Sequence, residues 1–216
     1  MPIPPMTRHR RALGLPLTAG RAVVGLALVS GLLAGCGIVG APAFDPTGPC
    51  TVDGQAPGAY PDLEALIPTT LDGKAPDSLD SGRNCSQDGL GPLWDDGFRE
   101  VRFAGAIWQT GSESGTSLAV FAATGLTADQ VGGYYEGGAQ GSEKVSGLTT
   151  SHPTIAGRSG YRLDVVNGDY LQTVITWPST TPDVVNVILV SSSARDVTDP
   201  AGHASAVDAA MAAFGG

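Results

Sequence analysis

From Phe98 onward, apolar positions recur with two different periods, and the switch between them separates strands from helices. In FREVRFAGAIWQ, Val101, Phe103, Gly105 and Ile107 fall on one strand face with Arg102 opposite. The polar run from Thr110 to Thr116 leads into Ser117-Leu-Ala-Val-Phe-Ala-Ala123, apolar on both faces, so the two segments read as a hairpin. The period then becomes helical. Thr127 and Gln130 have the spacing of a capping box, Leu126 and Val131 stand at the staple positions, and Val131, Tyr134 and Tyr135 share one face. Tyr161, Leu163 and Val165 alternate with Arg162 and Asp164, and Asn167-Gly168 signals a hairpin turn. A three-residue loop through Asp169 would set Tyr161 against Ile175, Leu163 against Thr173 and Val165 against Leu171, the register expected if one face is buried. Val184 to Val190 is apolar on both faces and reads as a central strand. Asp199-Pro200 opens a last helix, cap then proline, with Ala204, Val207, Met211 and Phe214 expected inside.

These elements predict an α+β fold over residues 98–216, with a mainly antiparallel sheet of about five strands and two helices packed on one face. Residues 62–97 read as an irregular segment with one helical turn, Asp62 to Ile67, before Pro68. Residues 36–61 are rich in proline and glycine and read as a tether.

The first 35 residues carry Arg8, Arg10, Arg11 and Arg21 and no acidic residue, followed by thirteen uncharged positions from Ala22 to Ala34. That run is shorter than the roughly 20 residues needed to span a bilayer, and with its basic head and small-residue exit it reads as a secretory signal. The exit, Leu33-Ala34-Gly35-Cys36, resembles the lipobox of bacterial lipoproteins. The resemblance implies removal of residues 1–35, diacylation of Cys36 and display on the outer side of the cell membrane. In arrangement the body resembles small exported α+β lipoprotein domains of high-GC bacteria and PsbP-like domains. That likeness implies architecture and leaves function open.

Without residues 1–35 the chain has 8 basic and 21 acidic residues, a net charge of −13. Such a surface disfavours nucleic acid and gives no electrostatic grip on anionic lipid, so the acyl chains are the expected membrane contact. Assigning Cys36 to lipid leaves Cys50 and Cys85, which are expected to bond outside the cytoplasm and to tie residues 62–97 to the tether.

Chemistry is sparse. The sequence holds no GxSxG, HExxH, phosphate-loop or EF-hand pattern, so no catalytic residue, metal or cofactor is expected. His152, before Pro153, and His203, in the first turn of the last helix, read as surface histidines. Trp94 with Asp95 and Asp96 is the candidate cradle for a cation or sugar, and Tyr134, Tyr135 and Trp177 a candidate aromatic wall. The expected role is a membrane-anchored binding or interaction module, with an envelope protein or polymer as its expected partner class. The alternative is a carboxylate-based envelope enzyme such as a wall-glycan hydrolase, which needs two facing acids about 5–9.5 Å apart.

Overall fold

A computed structural model describes residues 44–197 and 199–215; the signal and Cys36 lie outside them. Ten strands form in chain order: β1 (Gly54–Ala56), β2 (Ser78–Asn84), β3 (Val101–Gln109), β4 (Gly115–Ala122), β5 (Val145–Ser151), β6 (Thr154–Ile155), β7 (Arg158–Ser159), β8 (Tyr161–Asn167), β9 (Tyr170–Pro178) and β10 (Val184–Ser193). Five helices punctuate them: α1 (Pro61–Glu64), α2 (Gln87–Leu90), α3 (Pro92–Asp95), α4 (Ala128–Gln140) and α5 (Pro200–Ala213). No described helix is long and apolar enough to cross a membrane.

The main sheet has eight antiparallel strands in the order β1-β2-β3-β4-β10-β9-β8-β5, where about five were expected. The three extra strands are β1, β2 and β5. Each is short of large apolar residues and shows no clean alternation, so the backbone ladder rather than the side-chain pattern holds it in place. β1 and β2 come from the stretches read as tether and irregular segment, and they extend the sheet beyond β3.

The helices pack on both faces of this sheet, not on one. Trp108, Leu118, Ile188 and Trp177 cover one face with α1 and α5, through Leu63, Val207 and Ala210. Phe103, Phe121, Leu163 and Val187 cover the other with α2, α3 and α4, through Leu90, Leu93, Val131 and Tyr135. The reason lies in β4, β9 and β10, which are buried along nearly their whole length on both faces. A sheet whose centre is apolar on both sides needs a cover on each side.

The local signals at the helix starts hold. Thr127 Oγ1 accepts from the Gln130 amide while Gln130 Oε1 accepts from the Thr127 amide. Asp199 caps α5 by accepting from the Gly202 amide at 2.8 Å, and Pro200 takes its first position. Gly132 lets α4 lie against the sheet, since a Cβ there would come within 2.3 Å of the Tyr161 ring.

The β8–β9 register differs from expectation by one residue. The turn has two residues, Gly168 and Asp169, so Leu163 faces Val174, Val165 faces Gln172 and Tyr161 faces Thr176. Gly168 has φ +59° at the first turn position, where the mirror-image turns of tight hairpins require glycine. Because β9 is buried on both sides, hydrophobic alternation does not choose between the two registers, and the turn decides.

Disulfide Cys50–Cys85 is present, with the two Cα atoms 5.5 Å apart. It is one of several ties that fasten residues 44–53 to the body, the Tyr60 hydroxyl on the Pro46 carbonyl among them. Buried Arg83 donates from Nη1 to the Gly48 carbonyl at 2.9 Å and from Nη2 to the Asp45 and Pro49 carbonyls, each at 3.1 Å. Asp53 accepts from the backbone amides of Cys85 and Ser86 and from the Ser86 hydroxyl. Burial works against the Asp53 carboxylate, but these hydrogen bonds win and hold it below the ordinary range.

A second carboxylate joins the end of β10 to the β3–β4 loop. Asp196 accepts from the Glu113 amide and from the hydroxyls of Ser112 and Ser114, each at 2.8 Å. The Glu113 amide, then the Ser114 and Ser112 hydroxyls, bring its pKa down to about 2, from 3.8. Its contribution is therefore present above pH 3.8 and disappears as pH falls through about 2. Asp196→Asn should lower the melting temperature at pH 6 and change it little at pH 2. An equal loss at both pH values would contradict this coupling.

Candidate functional site

The pocket with mixed chemistry lies on the α1/α5 face, where the β8–β9 turn meets the first turn of α5. Its volume is about 290 Å³, near the lower end of the range of small-molecule pockets. Val166, Leu171, Val197 and Pro200 form its apolar wall. Asp169, Tyr170, Ser192 and Asp199 supply its polar groups, and no lysine or arginine lines it among the described residues. Two local bonds shape the rim: the Ala194 amide donates to the Asp169 carbonyl at 2.8 Å, and the Val197 amide donates to the Ser193 carbonyl at 2.9 Å.

Behind this wall runs a chain of polar groups, half-exposed at Arg162 and Asp164 and buried at Thr173, His203 and Ser192. Asp164 accepts from Arg162 Nε at 2.8 Å and Nη2 at 2.9 Å, and from the Thr173 hydroxyl at 2.7 Å. His203 Nε2 lies 2.9 Å from that hydroxyl oxygen, and His203 Nδ1 lies 2.8 Å from the Ser192 hydroxyl. Thr173 gives its only hydrogen to a carboxylate, so it must accept from Nε2–H. A neutral imidazole with Nε2 protonated then accepts at Nδ1 from Ser192. Burial would raise the Asp164 pKa, but Arg162 and Thr173 outweigh it and keep the group ionised. For His203 burial dominates and pulls the pKa below 6.5, with Asp164 opposing and Arg162 adding to the shift.

The structure corrects the reading of His203 as a surface residue: it is 8 % exposed. Helix α5 is turned so that His203, Val207 and Ala210 face the sheet, while Ala204 points outward. The spacing 203, 207, 210, 214 is itself a helical stripe, and counting histidine as polar hid it. His203→Ala should cost about 2–3 kcal/mol at pH 7.5, from the lost hydrogen bonds and the space left behind. Because the folded pKa is depressed, the neutral ring stabilises fully above pH 6.5 and less as pH falls below it. The gap between wild type and His203→Ala in denaturant melts should therefore narrow from pH 7.5 to pH 5. A gap independent of pH would refute the neutral, acceptor role.

Ser192 next to His203 invites comparison with a nucleophile and its base. The arrangement suits a docking contact better. Ser192 is 4 % exposed, and the nearby Ala194, Val197 and Gly202 amides, which an oxyanion would need, already donate to Asp169, Ser193 and Asp199. The chain of bonds clamps the start of α5 onto β9 and β10.

The other candidates separate. Trp94 is half-buried in α3, with the Arg99 guanidinium 3.9 Å from its ring centroid, so a cation of this chain already occupies that ring face. Asp95 and Asp96 are exposed beside it at the end of α3. Tyr134 and Tyr135 pack edge-to-face at 5.5 Å on the α4 side, whereas Trp177 packs against Phe214 on the opposite face, so the three form no common wall. His152 is exposed, 3.6 Å from Asp129. Among the described residues no three His, Cys, Asp or Glu side chains gather closely enough to hold a metal ion.

Compared with protein-family models, curated proteins and solved structures, the chain matches none of them.

Proposed function

We propose that this protein is a lipid-anchored extracytoplasmic binding module that holds a small ligand in the cavity between the β8–β9 turn and α5. The cavity carries the reading: it combines an apolar wall with a few polar groups where the β8–β9 turn and the segment after β10 meet α5. The address rests on Leu33-Ala34-Gly35-Cys36 and the basic, then apolar, stretch before it. Seven residues separate Cys36 from Phe44, so the fastened body hangs at most about 29 Å from its acylated end. Two or more acyl chains suffice for stable attachment. The protein then samples the layer just outside the membrane, where an envelope protein or polymer can also meet it.

A fragment screen on the methyl-labelled full-length protein in detergent micelles tests the cavity. Some fragments should shift the Val166, Leu171 and Val197 methyl resonances saturably. Shifts that map only elsewhere, or none at all, would remove the cavity as the ligand site. The second reading, a carboxylate-based envelope enzyme such as a wall-glycan hydrolase, draws on Asp169 and Asp199 sharing this one wall. Release of reducing ends from purified wall glycan by wild type, abolished in Asp169→Asn, would favour it.

A further inference from the structure

We propose that the cavity selects a protonated amine carried on a short apolar body; this rests on the cavity being the ligand site. Its polar lining side chains are two carboxylates and two hydroxyls, and both hydroxyls are hydrogen-bonded elsewhere. Ser192, one of the lining residues, gives its hydrogen to His203 Nδ1 and has none left to donate to a ligand. Asp199 uses one carboxylate oxygen on the Gly202 amide and keeps the other. Asp169 adds a second carboxylate at the turn, and the Tyr170 hydroxyl donates to Glu113 at 3.4 Å. A wall of acceptors without a cationic side chain calls for a ligand that brings donors and positive charge.

An independent observation supplies the ligand's other half. Val166 is 38 % exposed, one of only two large hydrophobic side chains so exposed among the described residues, and it stands in this wall beside Leu171. A short hydrocarbon body would cover that surface while its ammonium group reached the two carboxylates. The charge of −13 after signal removal also draws cations toward the protein.

Three ligands of one shape separate the possibilities: cyclohexylammonium, cyclohexanol and cyclohexanecarboxylate, titrated into the methyl-labelled full-length protein in zwitterionic micelles. The ammonium should shift the Val166 and Leu171 methyls saturably and bind about tenfold more tightly than the alcohol, as two exposed charge pairs acting together allow. Asp169→Asn and Asp199→Asn should each weaken it about threefold. Asparagine caps helices as well as aspartate, so Asp199→Asn should keep its melting temperature and isolate the charge. Equal binding of ammonium and alcohol, or tighter binding of the carboxylate, overturns the amine and leaves the cavity reading intact. If none of the three moves these methyls, the amine proposal falls. The cavity reading falls with it only when the wider fragment set also leaves them unmoved.

Discussion

Arg83→Ala should lower the unfolding free energy by about 3–5 kcal/mol, as expected when one partner is deleted from a buried, charge-assisted network. Arg83 is 4 % exposed and lies under Phe44, with the ring centroid 5.6 Å from the guanidinium carbon. Its donors hold the carbonyls of Asp45, Gly48 and Pro49, none of which belongs to a strand or helix. Glu100, 3.8 Å away and partly exposed, is a weaker partner. Truncation therefore strands a run of backbone acceptors and opens a hole beneath Phe44. Denaturant melts of the two proteins give the difference, and a loss below about 1 kcal/mol, typical of a surface site, would contradict this role.

Breaking the Cys50–Cys85 bond should cost a similar amount. The cysteines are 35 positions apart, and closing a loop of that size contributes about 3–4 kcal/mol on the chain-entropy model. The Cys50→Ser, Cys85→Ser double variant should show this loss, and reductant should reproduce it in the wild type. Arg83 and the disulfide fasten the same ten residues to the C-terminal end of β2 and the residue after it, so the losses should not add. Once the bond is gone the segment frays and much of what Arg83 holds goes with it, so Arg83→Ala should cost less in the cysteine-free background. Strict additivity would mean that the two ties act on separate units.

How much of this was legible depended on how local each signal was. The capping box at Thr127 and the Asp199-Pro200 start are complete within a few residues, and both stand where the sequence puts them. The five apolar strands were readable from alternation or from continuous hydrophobicity. Continuous hydrophobicity in Ser117–Ala123 and Val184–Val190 also held the information that both sheet faces need a cover, against the single helical layer expected. Ser78-Leu-Asp-Ser-Gly-Arg-Asn84 gave no such sign, because one large apolar residue in seven makes no pattern. Its place follows from pairing with β3 and from Arg83, whose partners lie over thirty positions upstream.

The candidate site was the least legible part. It joins residues 166–171 to residues 192–197 and 199–200, and no spacing in the chain announces that meeting. The cysteine pair was readable because parity is a global count: with Cys36 set aside, only Cys50 and Cys85 remain.

An anchored module requires that the mature chain begin at Cys36 and carry lipid there. Intact mass spectrometry of the protein purified from its native membrane reads this in one experiment. The expected mass is that of residues 36–216 with a diacylglyceryl group on Cys36, with or without a further amide-linked acyl chain, and two hydrogens fewer for the Cys50–Cys85 bond. A mass that retains residues 1–35, or a chain from Cys36 without lipid, would contradict the anchored module.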